Sequence, residues 1–155
     1  MKEVHLLGGK KSFVDDEDFY VVSKYRWRAR SFKTKTLYAY SPSNNGSLLM
    51  HRLILNAKKG EQVDHINRNG LDNRKKNLRL CSHSQNGINR PFQKNNSSGF
   101  KGVHKYKYGG KWEVSIEKGG KNFYVGVFSD KKEAALAYNK KAKELFGEFA
   151  YQNPV

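Results

Sequence analysis

Apolar and polar residues alternate in two neighbouring segments of the C-terminal half. Every second residue of Trp112–Glu117 is apolar, and Phe123–Val127 repeats the alternation after the pair Gly119-Gly120. A period of two is typical of a strand with one buried face, and paired glycines favour a tight hairpin turn. With a further strand over Phe100–Lys105, the pattern predicts a three-stranded antiparallel sheet. The side chains predicted to face inward are Trp112, Val114, Ile116, Phe123, Val125 and Val127.

A helical pattern follows this sheet. Asp130 precedes it and Glu133 stands three residues further on, a spacing typical of a capped helix start, and Gly147 favours a helix end. The apolar residues recur at helical spacing at Ala134, Tyr138, Ala142, Leu145 and Phe146. A sheet packed on one amphipathic helix forms a small α+β layer pair with its own core.

The N-terminal half shows shorter and less regular patterns. The acidic cluster at 15–18 predicts a helix start in which Asp15 or Asp16 caps the free backbone N–H groups. The i,i+4 pairs of apolar residues within Leu48–Leu55 predict a second short helix. The remaining predicted elements are a strand pair at 27–32 and 37–41 joined by the polar turn 33–36, strands at 62–66 and 78–82 around the loop 67–77, and a helix at 83–90.

The composition points to a polyanionic partner. The 155 residues include 30 Lys and Arg against 14 Asp and Glu, a formal charge of +16 at pH 7, and both halves of the chain are basic. An excess of this size favours nucleic acid. The mean hydropathy is −0.86. With no apolar run of membrane-spanning length and no charged-then-apolar leader, we expect no membrane association and a cytoplasmic location, in a bacterial or phage-infected cell.

The single cysteine, Cys81, excludes a disulfide framework and a structural zinc site, since both need several ligands.

The segment 91–99 marks a boundary between two modules, because proline, asparagine, serine and glycine replace any apolar periodicity there. We therefore predict a first module over 1–90, a linker over 91–99 and a second module over 100–155.

Residues suited to phosphodiester hydrolysis are concentrated in the first module. Hydrolysis needs a base that deprotonates water and a cation that holds charge on the leaving oxygen. His65, with a pKa near neutrality, suits the base, and the adjacent Asp64 offers a hard oxygen ligand for Mg²⁺. Asn86 could add a neutral oxygen, or be a helix-surface residue; Asn77 could fix the orientation of the His65 ring, or cap a turn. For His51 and His83, packing or surface roles are favoured.

These residues, with HRLIL upstream and LRLCSHSQN downstream, resemble the HNH nuclease family over roughly 49–90. The resemblance implies a ββα-metal fold, a strand, loop, strand and helix around one divalent cation, Mg²⁺ or alternatively Mn²⁺. It implies His65 as general base, Asn77 as the residue that orients it, and Asp64 as a metal ligand. The third position of the family motif, often a histidine, is Asn86 in this sequence. The resemblance implies Asn86 as the second ligand of the cation. This H-N-N variant resembles homing-type nickases and endonucleases of phages and mobile introns.

The segment Gly99–Asn153 resembles a second family, the Apetala/ethylene-response-factor type of DNA-binding domain, through GFKGV, KWEVSI, YVGVF, EAALAY and FGEFAYQN. The resemblance implies a three-stranded sheet that lies in the major groove of double-stranded DNA, backed by the helix. Arginines and a tryptophan of the plant members are replaced here, so their target sequence does not carry over. The residues expected to face DNA are Lys101, His104, Tyr106, Lys107, Lys111, Ser115, Glu117, Asn122 and Tyr124.

Together these features predict a metal-dependent DNA endonuclease of the homing or nicking type, which cuts near a site recognised by its second module. One site per chain predicts nicking by a monomer. The alternative is a non-catalytic, sequence-specific DNA-binding regulator on an HNH scaffold. RNA as a partner is disfavoured because the A-form major groove is too narrow for a sheet. The alternating Arg26, Arg28 and Arg30 suggest additional DNA contacts on charge alone.

Overall fold

The computed structural model of the chain describes residues 1–32, 36–44, 46–92 and 96–155. The predicted turn at 33–36 and the predicted linker at 91–99 therefore lie partly outside the described residues. The chain forms two units, unit 1 over Met1–Asn86 and unit 2 over Gly87–Val155, each a mixture of small sheets and helices. No helix in the described ranges has both the length and the apolar character needed to cross a membrane.

Unit 1 begins with a hairpin that the sequence pattern did not predict. Its strands β1 (Lys2–His5) and β2 (Lys11–Val14) pair in antiparallel register and are too short to show a clear alternation. Helix α1 (Asp16–Val22) follows at the predicted acidic cluster. Asp15 occupies the N-cap position, but its side chain makes no cap hydrogen bond. It accepts a hydrogen bond from the Lys75 backbone N–H at 2.8 Å instead, so the predicted capping role is wrong.

A three-stranded antiparallel sheet follows, formed by β3 (Arg28–Arg30), β4 (Tyr38–Ser43) and β5 (Gly46–Leu49) in that order. The predicted pairing of the first two strands is confirmed. Helix α2 spans Met50–Ile54, shorter than predicted, because its first two predicted residues pair with β4 as part of β5.

The segment with the candidate chemistry folds as a hairpin followed by a helix. Strand β6 (Gln62–His65) pairs antiparallel with β7 (Leu78–Cys81), and helix α3 spans His83–Ile88. The loop between the strands contains one 3₁₀ turn, Lys75–Asn77. The main hydrophobic core cluster of unit 1 consists of Val4, Leu6, Val14, Val22, Trp27, Ala39 and Met50.

Unit 2 has the predicted architecture of a sheet packed on one helix. Strands β8 (Val103–Lys105), β9 (Trp112–Lys118) and β10 (Lys121–Phe128) form an antiparallel sheet with β9 in the centre. Helix α4 spans Lys131–Phe146, and Asp130 caps it by accepting the backbone N–H groups of residues 132 and 133. The core residues are Val103, Val114, Ile116, Ala134, Ala135, Tyr138, Ala142 and Tyr151.

A β-bulge in β10 changes the predicted inward face of that strand. Tyr124 pairs with Ser115, but the next pair joins Gly126 to Val114, so two residues of β10 oppose one of β9. The extra residue reverses the alternation beyond this point. Phe128 consequently packs against the core, whereas Val127, predicted to face inward, pairs with Glu113.

Candidate functional site

His65 lies at the end of β6, where only 5% of its surface is exposed. Its Nε2 lies 3.1 Å from Asn73 Oδ1. The other end of the Asn73 amide donates through Nδ2 to Ser12 Oγ at 2.8 Å, and Ser12 Oγ donates in turn to the Leu71 carbonyl at 2.8 Å. A buried chain of hydrogen bonds thus connects the imidazole to strand β2 through the loop between β6 and β7.

This chain of hydrogen bonds assigns the tautomer of His65. Because the Asn73 amide nitrogen is used on Ser12, its oxygen faces the ring, and an oxygen can only accept. His65 Nε2 therefore carries the proton and donates it. In a neutral imidazole the lone pair then resides on Nδ1, the nitrogen that can take a proton from water.

Electrostatics favour the neutral ring. Burial lowers the pKa of the His65 imidazolium below its usual value, whereas the hydrogen bond to Asn73 and the carboxylates of Asp64 and Asp72 act in the opposite direction. A neutral imidazole is the form that acts as a general base. His65 therefore has the location, the tautomer and the charge state that the base function needs.

Asn77, predicted to orient His65, has a different set of partners. Its Oδ1 accepts the Asn67 backbone N–H at 2.9 Å, and its Nδ2 donates to the Asp72 carbonyl at 2.7 Å. Its own carbonyl accepts the backbone N–H of Ile66 at 2.9 Å. Asn77 therefore closes the loop between β6 and β7, which holds the backbone next to His65, while Asn73 contacts the ring.

The sequence pattern did not predict a role for Asn73 at this site. The residue is fully buried, and its backbone N–H also donates to the Phe13 carbonyl at 2.7 Å. Nothing local distinguishes it from the other asparagines of this loop, because its partners on β2 are about sixty residues away in the chain. A pairing of Asn73 with Ser12 across related sequences is the signal that could have identified it.

The loop carries an ion pair of its own. The Arg74 guanidinium donates to both carboxylate oxygens of Asp72 at 2.6 Å, and Asn67 Nδ2 donates to the same carboxylate at 2.8 Å. The hydrogen bond from Arg74 is the main reason that the pKa of Asp72 lies below its usual value. Asp72 therefore stays ionised and fixes the middle of the loop.

Asp64, the predicted metal ligand, is buried and paired with Arg79, its direct neighbour on β7. Arg79 donates to Asp64 Oδ2 through Nη2 at 2.6 Å and through Nε at 2.9 Å. The Arg79 guanidinium therefore already occupies one oxygen of the carboxylate next to His65.

Asn86, the second predicted ligand, lies half-buried on α3. Its Nδ2 donates to Gln62 Oε1 on β6 at 3.4 Å, which directs the amide nitrogen toward the hairpin and leaves the amide oxygen as the remaining polar atom. A carboxylate and an amide oxygen are donors that suit Mg²⁺ or Mn²⁺. Within the described ranges no three His, Cys, Asp or Glu side chains gather as a metal-binding group, and the assignment of Asp64 and Asn86 as ligands stays a prediction.

His51 also contacts His65, which sequence reasoning did not predict. Its ring meets the His65 ring edge to face with centroids 4.9 Å apart, and Tyr38 lies 5.6 Å from His51 and 5.7 Å from His65. His51 is 6% exposed, and its Nδ1 has no hydrogen-bond partner among the described residues. Burial, reinforced by His65 and Arg52, lowers the pKa of His51 to about 3.

Unit 2 presents most of the residues predicted to contact DNA. Asn122 pairs with Glu117, and Tyr124 pairs with Ser115, so these four side chains share the sheet face opposite α4. Directly paired residues project from the same side of a sheet. The predicted residues that are exposed are His104, Lys107, Lys111, Glu117, Asn122 and Tyr124, and those that are half-buried are Lys101, Tyr106 and Ser115.

Lys101 already has several partners within unit 2. Its ammonium donates to the carbonyls of Ile88 and Arg90 at 2.6 and 2.7 Å and lies 5.2 Å from the centre of the Tyr151 ring. Its backbone N–H and carbonyl are both bound by the Asn153 side chain. Lys101 therefore holds segments of unit 2 together, and its contact with DNA stays a prediction.

Comparison with known proteins places this geometry in a family. A family profile described as HNH endonuclease matches residues 49–88, which contain α2, β6, β7 and α3. A protein of Acanthamoeba polyphaga mimivirus named as an uncharacterized HNH endonuclease is 35% identical over 153 residues, 95% of this chain and 76% of the relative. The chain belongs to the HNH endonuclease family.

Two further relatives match smaller parts of the chain. Protein 3.8 of Escherichia phage T7 is 34% identical to this HNH-family chain over 92 residues, 59% of the chain and 75% of the relative. Dehydration-responsive element-binding protein 2C of Arabidopsis thaliana is 39% identical over 56 residues, 35% of the chain and 16% of the relative. No solved structure matches.

Proposed function

We propose that the protein is a metal-dependent DNA endonuclease that nicks duplex DNA near a site bound by unit 2. The observation that carries this proposal is the buried hydrogen-bond chain from Ser12 through Asn73 to His65. It supports a neutral imidazole with a lone pair on Nδ1, next to the carboxylate of Asp64. Membership of the HNH endonuclease family supports nuclease activity at the same residues.

The reaction proposed is hydrolysis of one phosphodiester bond. His65 Nδ1 takes a proton from a water molecule, and the resulting hydroxide attacks phosphorus while the bond to the 3′-oxygen breaks. The leaving 3′-oxygen receives a proton from solvent, so the products are a 5′-phosphate and a 3′-hydroxyl. Asn73 holds the His65 ring in the orientation that this transfer requires. A divalent cation on Asp64 and Asn86, Mg²⁺ or alternatively Mn²⁺, would stabilise the charge that develops on the leaving oxygen.

Unit 2 is proposed to bind the duplex through the open face of its sheet. The shared outward position of Glu117, Asn122 and Tyr124 supports this role, as does the match to the plant protein named as dehydration-responsive element-binding. Asparagine can read adenine and glutamate can accept from cytosine in the major groove. A monomer with one site per chain would leave a single-strand nick.

The test is plasmid relaxation. Supercoiled plasmid is incubated with the protein and Mg²⁺, with the protein and a chelator, and with the variant His65→Ala and Mg²⁺. We expect relaxed circles only in the first reaction. His5→Ala, which changes an exposed histidine on β1, is the matched control and should relax the plasmid like the parent protein.

The non-catalytic regulator makes the opposite prediction. Tight duplex binding with no relaxation under Mg²⁺ or Mn²⁺ would support it and refute the nuclease. Fluorescence of Trp27, which is buried in unit 1, shows whether His65→Ala remains folded. Loss of relaxation counts for the nuclease only if that signal is retained.

A further inference from the structure

One face of the β3–β4–β5 sheet in unit 1 combines cations with aromatic rings. Arg28 pairs directly with Tyr40, and Arg30 pairs with Tyr38, so the four side chains project from the same side. Ala39, between the two tyrosines, points to the other side and is fully buried in the core. We name this surface the arginine–tyrosine face, defined by Arg28, Arg30, Tyr38 and Tyr40.

The charges of this face are not used to stabilise the fold. Arg28 and Arg30 are exposed, and neither forms an ion pair with any residue in the described part of the chain. The Arg30 guanidinium lies 5.3 Å from the centre of the Phe32 ring, which is itself 45% exposed. By contrast, Arg74 and Arg79 of the same unit are each bound to an aspartate. The two arginines on the face are therefore available to an anion.

The face reaches the candidate catalytic base. Tyr38 belongs to the face, and its ring lies 5.7 Å from the ring of His65. The loop between β6 and β7 packs directly on Tyr38 at Gly70, where an added Cβ would come within 2.6 Å of Tyr38 Cδ1. Only glycine allows this close approach without a shift of the ring. An anion on the arginines would therefore lie on a surface continuous with the reacting site.

We propose that the arginine–tyrosine face binds the sugar-phosphate backbone of duplex DNA beside the phosphate that His65 attacks. The inference rests on the proposed nuclease function and adds a second DNA-binding surface, separate from the sheet of unit 2. Alternate residues of a strand are about 6.7 Å apart, comparable to the axial rise of two nucleotides at about 3.4 Å each. The planar guanidinium fork also matches phosphate oxygens in geometry.

The first test measures duplex binding in a chelator, so that no cleavage occurs. The double variant Arg28→Gln/Arg30→Gln is compared with the parent and with Lys58→Gln/Lys59→Gln, which removes the same charge from another exposed segment of unit 1. Affinity for a labelled duplex oligonucleotide is measured by fluorescence anisotropy over a range of salt concentrations. Each lost phosphate contact reduces the slope of log K against log salt by about 0.9.

For two contacts the slope should become shallower by about 1.8, and binding at about 0.15 M salt should weaken about 30-fold. The lysine control should retain the parental slope. An arginine variant with the same slope as the control overturns the proposal. Because this assay needs no cleavage, a parent protein that binds with the expected slope but fails to nick plasmid refutes the nuclease and leaves the face intact.

A second measurement covers the case in which the double variant is misfolded. The chain has one cysteine, so Arg30→Cys in a Cys81→Ser background can carry a tethered iron–EDTA group at a single position. We expect this group to cut the bound duplex at discrete positions. Cutting no stronger than from Lys59→Cys in the same background would overturn the proposal.

Discussion

The burial of His51 makes the stability of unit 1 sensitive to acid. The ring has a pKa of about 3 in the folded protein against 6.5 for an unperturbed histidine, because it is desolvated and lies near His65 and Arg52. The unfolded chain therefore binds a proton that the folded chain excludes. A group of this kind contributes its full stabilisation above pH 6.5, and the contribution falls as the pH is lowered toward the folded-state pKa.

The size of the effect follows from the two pKa values. At pH 5 the unfolded His51 is almost fully protonated and the folded one is almost fully neutral. Linkage then lowers the free energy of unfolding by about 2 kcal/mol between pH 7 and pH 5. The variant His51→Gln has no proton to exclude, so its stability should fall by about 2 kcal/mol less than that of the parent over this range.

The assay follows Trp27, which is 2% exposed in unit 1, during urea unfolding at pH 7 and pH 5. A Trp112→Phe background removes the second tryptophan, which belongs to unit 2. His65 is present in parent and variant, so its own pH dependence is common to both apart from its coupling to His51. His83→Gln, at an exposed position on α3, is the matched control and should behave like the parent. Equal losses of stability in parent and His51→Gln would refute the reasoning.

Three further outcomes are expected. Asn73→Ala removes the orienting partner of His65 and should lower kcat for plasmid nicking about 100-fold. A retained Trp27 fluorescence signal would show that the variant is still folded. An unchanged kcat would contradict the positioning role of Asn73. Gly70→Ala forces a Cβ against Tyr38 and should destabilise unit 1 by about 1–3 kcal/mol in urea unfolding, which an unchanged midpoint would contradict. Gly102→Ala combines a φ of +71° with a Cβ 2.7 Å from a backbone oxygen, and should lower the melting temperature of unit 2 alone in calorimetry.

The parts of the fold that the sequence predicted well are those specified by neighbouring residues. Helix α4 has its cap, its apolar spacing and its terminal glycine within one segment, and the alternation of β9 is equally local. The β1–β2 hairpin escaped prediction because four-residue strands carry too few positions for a pattern. The predicted inward position of Val127 on β10 was wrong because a bulge is not visible in an alternating sequence.

The candidate site was predictable in composition but not in its contacts. Asp64 and His65 stand out as an adjacent pair, and the structure places both in the buried end of β6. The partner of the His65 ring depends on which asparagine of the loop turns inward. Asn73 is held in that position by a hydrogen bond to Ser12, which lies on a strand distant in sequence. The alternation of side chains along the strand likewise predicts that Lys101 faces outward, but the carbonyl groups of Ile88 and Arg90 in unit 2 bind its ammonium.

The bond between Ser12 and Asn73 also limits how the nuclease motif can be reused. The residues that match the family profile begin at position 49, whereas the hydroxyl that fixes the Asn73 amide comes from strand β2. A fragment reduced to the matched residues would keep His65 and lose the group that sets its tautomer. Transplanting this site into another protein would therefore require transferring the β1–β2 hairpin together with the matched residues.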